Sequence, residues 1–142
     1  MLGKVDFYLL ASPVANGSAR LACRVIEKAW SSGHSIALCV NDADQAMAMD
    51  DLLWTYSQST FIPHSLVHLN TQDPVLIFTD LPDLSQAKET IVVSMRTEVL
   101  PPSFLSHRIA DIIGDSDVER SAARQRYKHY RDHGIEPGTH KI

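Results

Sequence analysis

Cysteine is scarce in this chain: 142 residues hold only Cys23 and Cys39. Neither stands in a CxxC or Cys/His pattern, which argues against a disulfide framework and a zinc site. Two buried thiols in a reducing compartment are the expectation. No apolar run approaches the ~18 residues that a membrane span needs. Met1-Leu2-Gly3-Lys4 reads as the approach to a strand and not as a signal peptide, so the expected location is the cytoplasm. An excess of positive charge is also missing. Lys and Arg number 13 against 17 Asp and Glu, for a formal net charge of −4. That balance makes general coating of duplex DNA a poor reading, because phosphate binding needs a field of the opposite sign.

The catalytic signatures are absent as well. Asn16-Gly17-Ser18 has a faint likeness to a phosphate loop, but neither GxxxxGKS/T nor GxGxxG occurs. There is no GxSxG elbow. His64 and His68 are four apart, yet a metal site lacks a third ligand and an HExxH-like acid. Asp50 and Asp51 are adjacent, so on a helix they diverge and cannot act as a dyad. The reading is a chain without catalytic residues, metal or cofactor. A doubly wound nucleotide-binding enzyme stands as one alternative.

What is present is ordinary globular composition, 44% hydrophobic and 21% charged, enough for one core. Val5 to Leu10 forms a β-rich run that breaks at Ala11-Ser12-Pro13. A helix is predicted after Asn16-Gly17-Ser18, with Leu21, Val25, Ile26, Ala29 and Trp30 recurring at helical spacing and Ser31-Ser32-Gly33 ending it. Ile36 to Val40 is a continuous apolar run, as in a strand covered on both faces. Asn41 or Asp42 caps a second helix carrying Ala46, Met47, Leu53 and Trp54, with Asp50 and Asp51 facing water. Phe61-Ile62-Pro63-His64 reads as a loop or edge segment. Val75 to Phe78 and Ile91 to Ser94 are further strand candidates, and Arg108 to Ile113 fits either helix or strand, the short run before Gly114 favouring a strand. Ser116-Asp117-Val118-Glu119 matches a capping box, and the helix it opens runs to Gly134. The segment from Glu136 to Ile142 reads as a loose tail. This strand–helix alternation predicts a single Rossmann-like α/β domain over 1–136, mostly parallel and flanked by helices, with a long basic C-terminal helix and a tail over 137–142.

That last helix is the most informative segment. Arg120, Arg124, Tyr127, Lys128 and Arg131 fall within about a 100° arc at ~100° per residue. Ala123 and Tyr130 lie beside the arc, facing the core. A basic stripe along an apolar ridge suits an acidic peptide ending in a carboxylate with one aromatic anchor. The same stripe also reads as a solvated charged face, or as a direct single-stranded nucleic-acid binder. A second feature, Leu52-Leu53-Trp54 with Phe61-Ile62-Pro63-His64, is either an exposed apolar patch for a partner or plain core.

Taken together, these stretches resemble the chi subunit of bacterial DNA polymerase III holoenzyme, a clamp-loader accessory protein. The likeness runs in order through Val5-Asp6-Phe7-Tyr8-Leu9-Leu10, Ala29-Trp30, Asp51-Leu52-Leu53-Trp54, Phe61-Ile62-Pro63-His64, Pro74-Val75 and Val93-Ser94-Met95-Arg96. It closes on the run from Ala123-Arg124-Gln125-Arg126 to Tyr127-Lys128-His129-Tyr130-Arg131. The resemblance implies a Rossmann-like fold without a working nucleotide site, and a non-catalytic subunit of a DNA-directed DNA polymerase complex. It implies two protein interfaces. One takes the acidic, phenylalanine-ending C-terminal tail of single-stranded-DNA-binding protein on Arg124, Tyr127 and Lys128, with Arg120 nearby and Ile113 in the apolar floor. The other holds the psi subunit, which connects to the clamp loader, around Trp54, Phe61, Pro63 and His64. Contact with single-stranded DNA is then indirect.

Overall fold

The computed structural model of the chain describes residues 2–12, 14–56, 62–66, 73–85, 87 and 89–142. The strands are β1 (Val5–Leu9), β2 (Ile36–Cys39), β3 (His64–Leu66), β4 (Val75–Phe78), β5 (Ile91–Ser94), β6 (Ile109–Ile112) and β7 (Gly138–Lys141). The α-helices are α1 (Gly17–Ser31), α2 (Ala43–Thr55) and α3 (Asp117–Asp132). One sheet holds all seven strands in the order β3-β4-β2-β5-β6-β1-β7. Each neighbouring pair is parallel. The α/β class expected from the alternation is therefore the class observed.

The continuous apolar runs have their physical explanation in this layering. Every residue of β2, β5 and β6 is buried, because helices and loops cover both faces of the sheet. Alternate residues serve opposite layers. Leu38, Val93 and Ile112 join a core under α1 and α2. Phe7, Val92 and Ile109 join a second core with Leu100, Phe104 and Tyr130, beneath α3 and the β5–β6 connection. The helices therefore segregate, with α1 and α2 on one face and α3 on the other.

Both predicted glycine stops are helix ends of one kind. Gly33 (φ 91) follows α1 and Gly134 (φ 90) follows α3, in the left-handed region that side chains avoid. In each, two backbone amides reach back: His34 to Ala29 and Gly33 to Trp30, then Ile135 to Tyr130 and Gly134 to Arg131. That is the Schellman pattern, which satisfies the last carbonyls of the helix. Ser116 caps α3 as expected, its hydroxyl accepting from the Glu119 amide at 3.1 Å, while the Glu119 carboxylate accepts from that hydroxyl at 3.0 Å in place of the backbone amide of a full capping box.

Three expectations change. The segment taken as a loose tail is β7, paired in parallel with β1 from Asp6↔Gly138 to Leu9↔Lys141. As an edge strand it needs no apolar run, so its polar sequence hid it. On α2 the buried residues are Ala46, Met49 and Leu53, while Met47 and Trp54 are exposed and Asp50 is only half-exposed. The Phe61–His64 segment divides: His64 opens the edge strand β3, and Phe61 lies outside the described residues.

Cys23 and Cys39 are buried and free. Burial pushes both thiols from an ordinary 9.0 up to about 12, above all by desolvation of the thiolate. Native protein at pH 8 is expected to leave both silent to a thiol-specific chromogenic reagent, with both reacting once denaturant is added; prompt reaction of either in the native state would contradict this packing. Because the folded values lie above the unfolded one, the associated stability is present below pH 9.0 and lost as pH rises through about 12.

Candidate functional site

The strand order opens a crevice where β1 and β6 end side by side. After β1 the chain passes to α1 on one face, and after β6 it passes to α3 on the other. Diverging connections of this kind leave a gap at the carboxyl ends of parallel strands, the usual ligand position in open α/β sheets. Here the gap is a cleft of about 370 Å³. Phe7, Leu9 and Ile113 supply apolar floor, and Arg120, Arg124 and Tyr127 form the α3 wall. Lys141 on β7 stands on the cleft as a further cation.

The local geometry follows from the phase of α3. Ala123, Arg126 and Tyr130 point inward and are buried, which turns Arg120, Arg124 and Lys128 outward. Tyr127 lies between, with its ring 5.7 Å from Phe7 and tilted 35°. Its hydroxyl donates to Glu136 at 3.2 Å. Arg131 is drawn to the same carboxylate at 3.4 Å, an exposed pair that adds little stability. Among the described residues no carboxylate pairs with Arg120, Arg124 or Lys128. The cleft thus has an aromatic and aliphatic floor beneath uncompensated guanidinium groups. It can take an anionic group and one apolar side chain together.

Of the residues that the family resemblance implies for this site, Arg120, Arg124, Tyr127 and Ile113 meet in this cleft. Lys128 does not; it lines a neighbouring depression with Arg124, Tyr127, Arg131 and Asp132. Lys141 and Thr139 were missed by sequence reasoning because they belong to the unrecognised strand β7.

Trp54 is 56% exposed and Met47 is 53% exposed; seven residues apart on α2, they share a face. The core reading of Trp54 is thereby corrected. His64 is buried beneath it, with ring centroids 5.1 Å apart in an edge-on arrangement. Its Nδ1 lies 2.7 Å from the Ile62 carbonyl, and its Nε2 lies 3.2 Å from the Asp50 carbonyl and 3.3 Å from the Asp50 carboxylate. His64 therefore supports Trp54 from below and offers no surface of its own. Pro63 is half-buried at the rim.

Among the described residues no cluster of His, Cys, Asp and Glu could hold a metal, and no helix is long and apolar enough to cross a membrane.

Fold and cleft define an open, all-parallel α/β protein with a cationic crevice at the strand ends. Solved structures share this architecture. The C-terminal domain of Saccharomyces cerevisiae Dbp5, solved bound to Gle1, superposes with a TM-score of 0.60 at 11% identity, over 96% of this chain and 90% of that one. A second structure of the C-terminal domain of the DEAD-box protein Dbp5 gives 0.54 at 13%, over 96% and 91%. At such identities the likeness is one of fold alone. Sequence decides the family: the model for the DNA polymerase III chi subunit, HolC, matches residues 2–138, and the chain belongs to that family. It is similar to DNA polymerase III subunit chi of Pseudomonas aeruginosa, 33% identical over 141 residues, covering 98% of this chain and 96% of that protein. The Escherichia coli subunit chi is 26% identical over 138 residues, with 94% of each covered.

Proposed function

We propose that this chain is a non-catalytic accessory subunit of the replicative polymerase, tethering it to coated single-stranded DNA by capturing the C-terminal tail of single-stranded-DNA-binding protein. The observation that carries the reading is the meeting of Arg120 and Arg124 with Phe7, Ile113 and Tyr127 in one cleft. Carboxylates of the tail pair with the guanidinium groups, and the terminal phenylalanine fills the apolar floor. A contact this small and this charged is weak and salt-sensitive, and many tails displayed together compensate through avidity. The exposed Met47–Trp54 face of α2 is the proposed seat of the psi subunit, which joins the clamp loader. Exposed aromatic side chains of this kind anchor protein interfaces.

The test is fluorescence anisotropy with a labelled copy of that tail at two salt concentrations, beside a copy lacking its last phenylalanine. Saturable binding that salt weakens and the truncated copy loses is expected. Silence of the intact copy at low salt would end the tether reading. In the same assay Trp54→Ala should keep tail binding while losing psi in a pull-down; unchanged psi capture would remove the second interface.

A further inference from the structure

The strand β7 pairs with β1 and stands last in the strand order, so its outer side is a free sheet edge. Hydrogen bonds at its end fix its phase. The Ile142 amide donates to the Leu9 carbonyl at 2.8 Å, and the Ile142 carbonyl accepts from the Ala11 amide at 2.7 Å. Ile142 thus directs both backbone groups at β1. Alternate residues of a strand repeat that direction. His140 and Gly138 therefore also face β1, while Thr139 and Lys141 turn their amides and carbonyls away from the sheet. Among the described residues nothing is hydrogen-bonded to these outward groups.

The same two residues line the cationic cleft with their side chains. They form its rim on one side. Arg126 ties α3 to Asp111 on β6, so the α3 wall stands on the other. A chain anchored on Phe7, Leu9 and Ile113 and leaving away from α3 passes over β7 and meets the free edge.

The groups at this edge choose their occupant. N–H donors and C=O acceptors alternating along a strand are matched by another extended peptide. A sugar–phosphate backbone has no amide to donate. Edges are often blunted by proline, and Gly138-Thr139-His140-Lys141 has none. Its one fixed charge is Lys141, which repels a second copy of the same edge and attracts an acidic chain. No acidic residue lines the adjoining cleft to oppose that attraction.

We infer that the acidic tail, once anchored in the cleft, adds to the sheet as an eighth strand, its main chain hydrogen-bonded to Thr139 and Lys141. Resting on the proposed tail capture, this pairing adds a binding mode to it: the cleft reads the terminal side chain, and the β7 backbone holds the residues before it. Main-chain bonds are indifferent to side chains, so those residues stay bound without a cation for each.

Amide hydrogen exchange of the isotope-labelled full chain, read by NMR with and without saturating tail peptide, tests the pairing. The Thr139 and Lys141 amides should exchange freely in the unbound chain and slow about tenfold or more on saturation. The His140 and Ile142 amides, already directed at β1, should change little. Tail peptides N-methylated at one amide at a time give a second readout. Two amides two residues apart should each cost about fivefold in affinity when methylated, and the amide between them little. Saturable binding without slowed exchange at Thr139 and Lys141, or without the alternating loss, would overturn the eighth strand and leave tail capture standing. Silence of the unmodified peptide at low salt would overturn both. Slowed exchange at Thr139 and Lys141 that grows with protein concentration in the absence of peptide would assign the edge to a second copy of the chain, and the proposal would fall.

Discussion

Arg126→Ala is expected to lower folding stability by about 3–5 kcal/mol, measured by urea unfolding at pH 7. Arg126 is buried on the inward side of α3. Its Nε donates to Asp111 at 2.9 Å, its Nη2 donates to the same carboxylate at 2.9 Å, and its Nη1 donates to the Thr97 carbonyl at 3.0 Å. One side chain thereby joins α3 to the middle of β6 and to the loop after β5. Asp111 is wholly buried, and loss of the guanidinium strands its charge in the sheet. The Tyr130 hydroxyl beside it has no hydrogen-bond partner of normal geometry, although each of the two groups shifts the other's titration.

The pH dependence gives the same claim a second reading. Desolvation pushes the Asp111 carboxyl up from 3.8 to about 6, with Arg126 pulling the other way. Folding therefore favours the protonated form: this group's contribution is present below pH 3.8 and lost as pH rises through about 6. Without Arg126 only desolvation remains as the major influence, so the carboxyl takes up its proton more readily still. The deficit of Arg126→Ala should accordingly shrink between pH 7 and pH 5. Converting both partners, Asp111→Leu with Arg126→Met, should be near neutral, because a well-packed apolar pair carries no desolvation cost. A deficit under about 1 kcal/mol for Arg126→Ala at pH 7 would show that the pair does not hold the helix to the sheet.

This pair also marks where the sequence could have said more. Asp111 interrupts Ile109-Ala110-Asp111-Ile112, a strand buried at every position. A carboxylate in such a strand demands a cation, and Arg126 shares the inward side of its helix with Ala123 and Tyr130. Both signals lay in the sequence, one in a strand and one in a helix. The parallel sheet was legible for a simpler reason: strands covered on both faces must be apolar throughout, as in β2 and β5. The ends of α1 and α3 were legible because a left-handed stop selects glycine. The strand β7 was not, since Gly138-Thr139-His140-Lys141 is polar and pairs on one side only. With it went Lys141 in the cationic cleft and His140 on the opposite face. The α2 face was ambiguous because Met47 and Trp54 are apolar yet point outward, a choice that burial by partners can make and periodicity cannot.

The proposed capture of the tail in the cationic cleft predicts unequal effects along a stripe that looked uniform on a helical wheel. Arg124→Ala should weaken binding of the tail peptide roughly tenfold or more, since a charge-assisted hydrogen bond to a desolvated carboxylate is lost. Arg124 lines both the cleft and the depression beside it, whereas Arg120 and Lys141 line the cleft alone. Lys128 lines only the outer depression, where water screens an exposed pair, and Lys128→Ala should cost about threefold or less. Tyr127→Ala should act as strongly as Arg124→Ala by removing the ring packed on Phe7. Tyr127→Phe should bind nearly as wild type, because the hydroxyl is directed at Glu136 and away from the floor. Raising salt should narrow the gap between wild type and Arg124→Ala while leaving the Tyr127→Ala deficit almost intact, since screening acts on the charge and not on the apolar burial. Equal losses from Arg124→Ala and Lys128→Ala would move the carboxylate out of the cleft and onto the open face of α3.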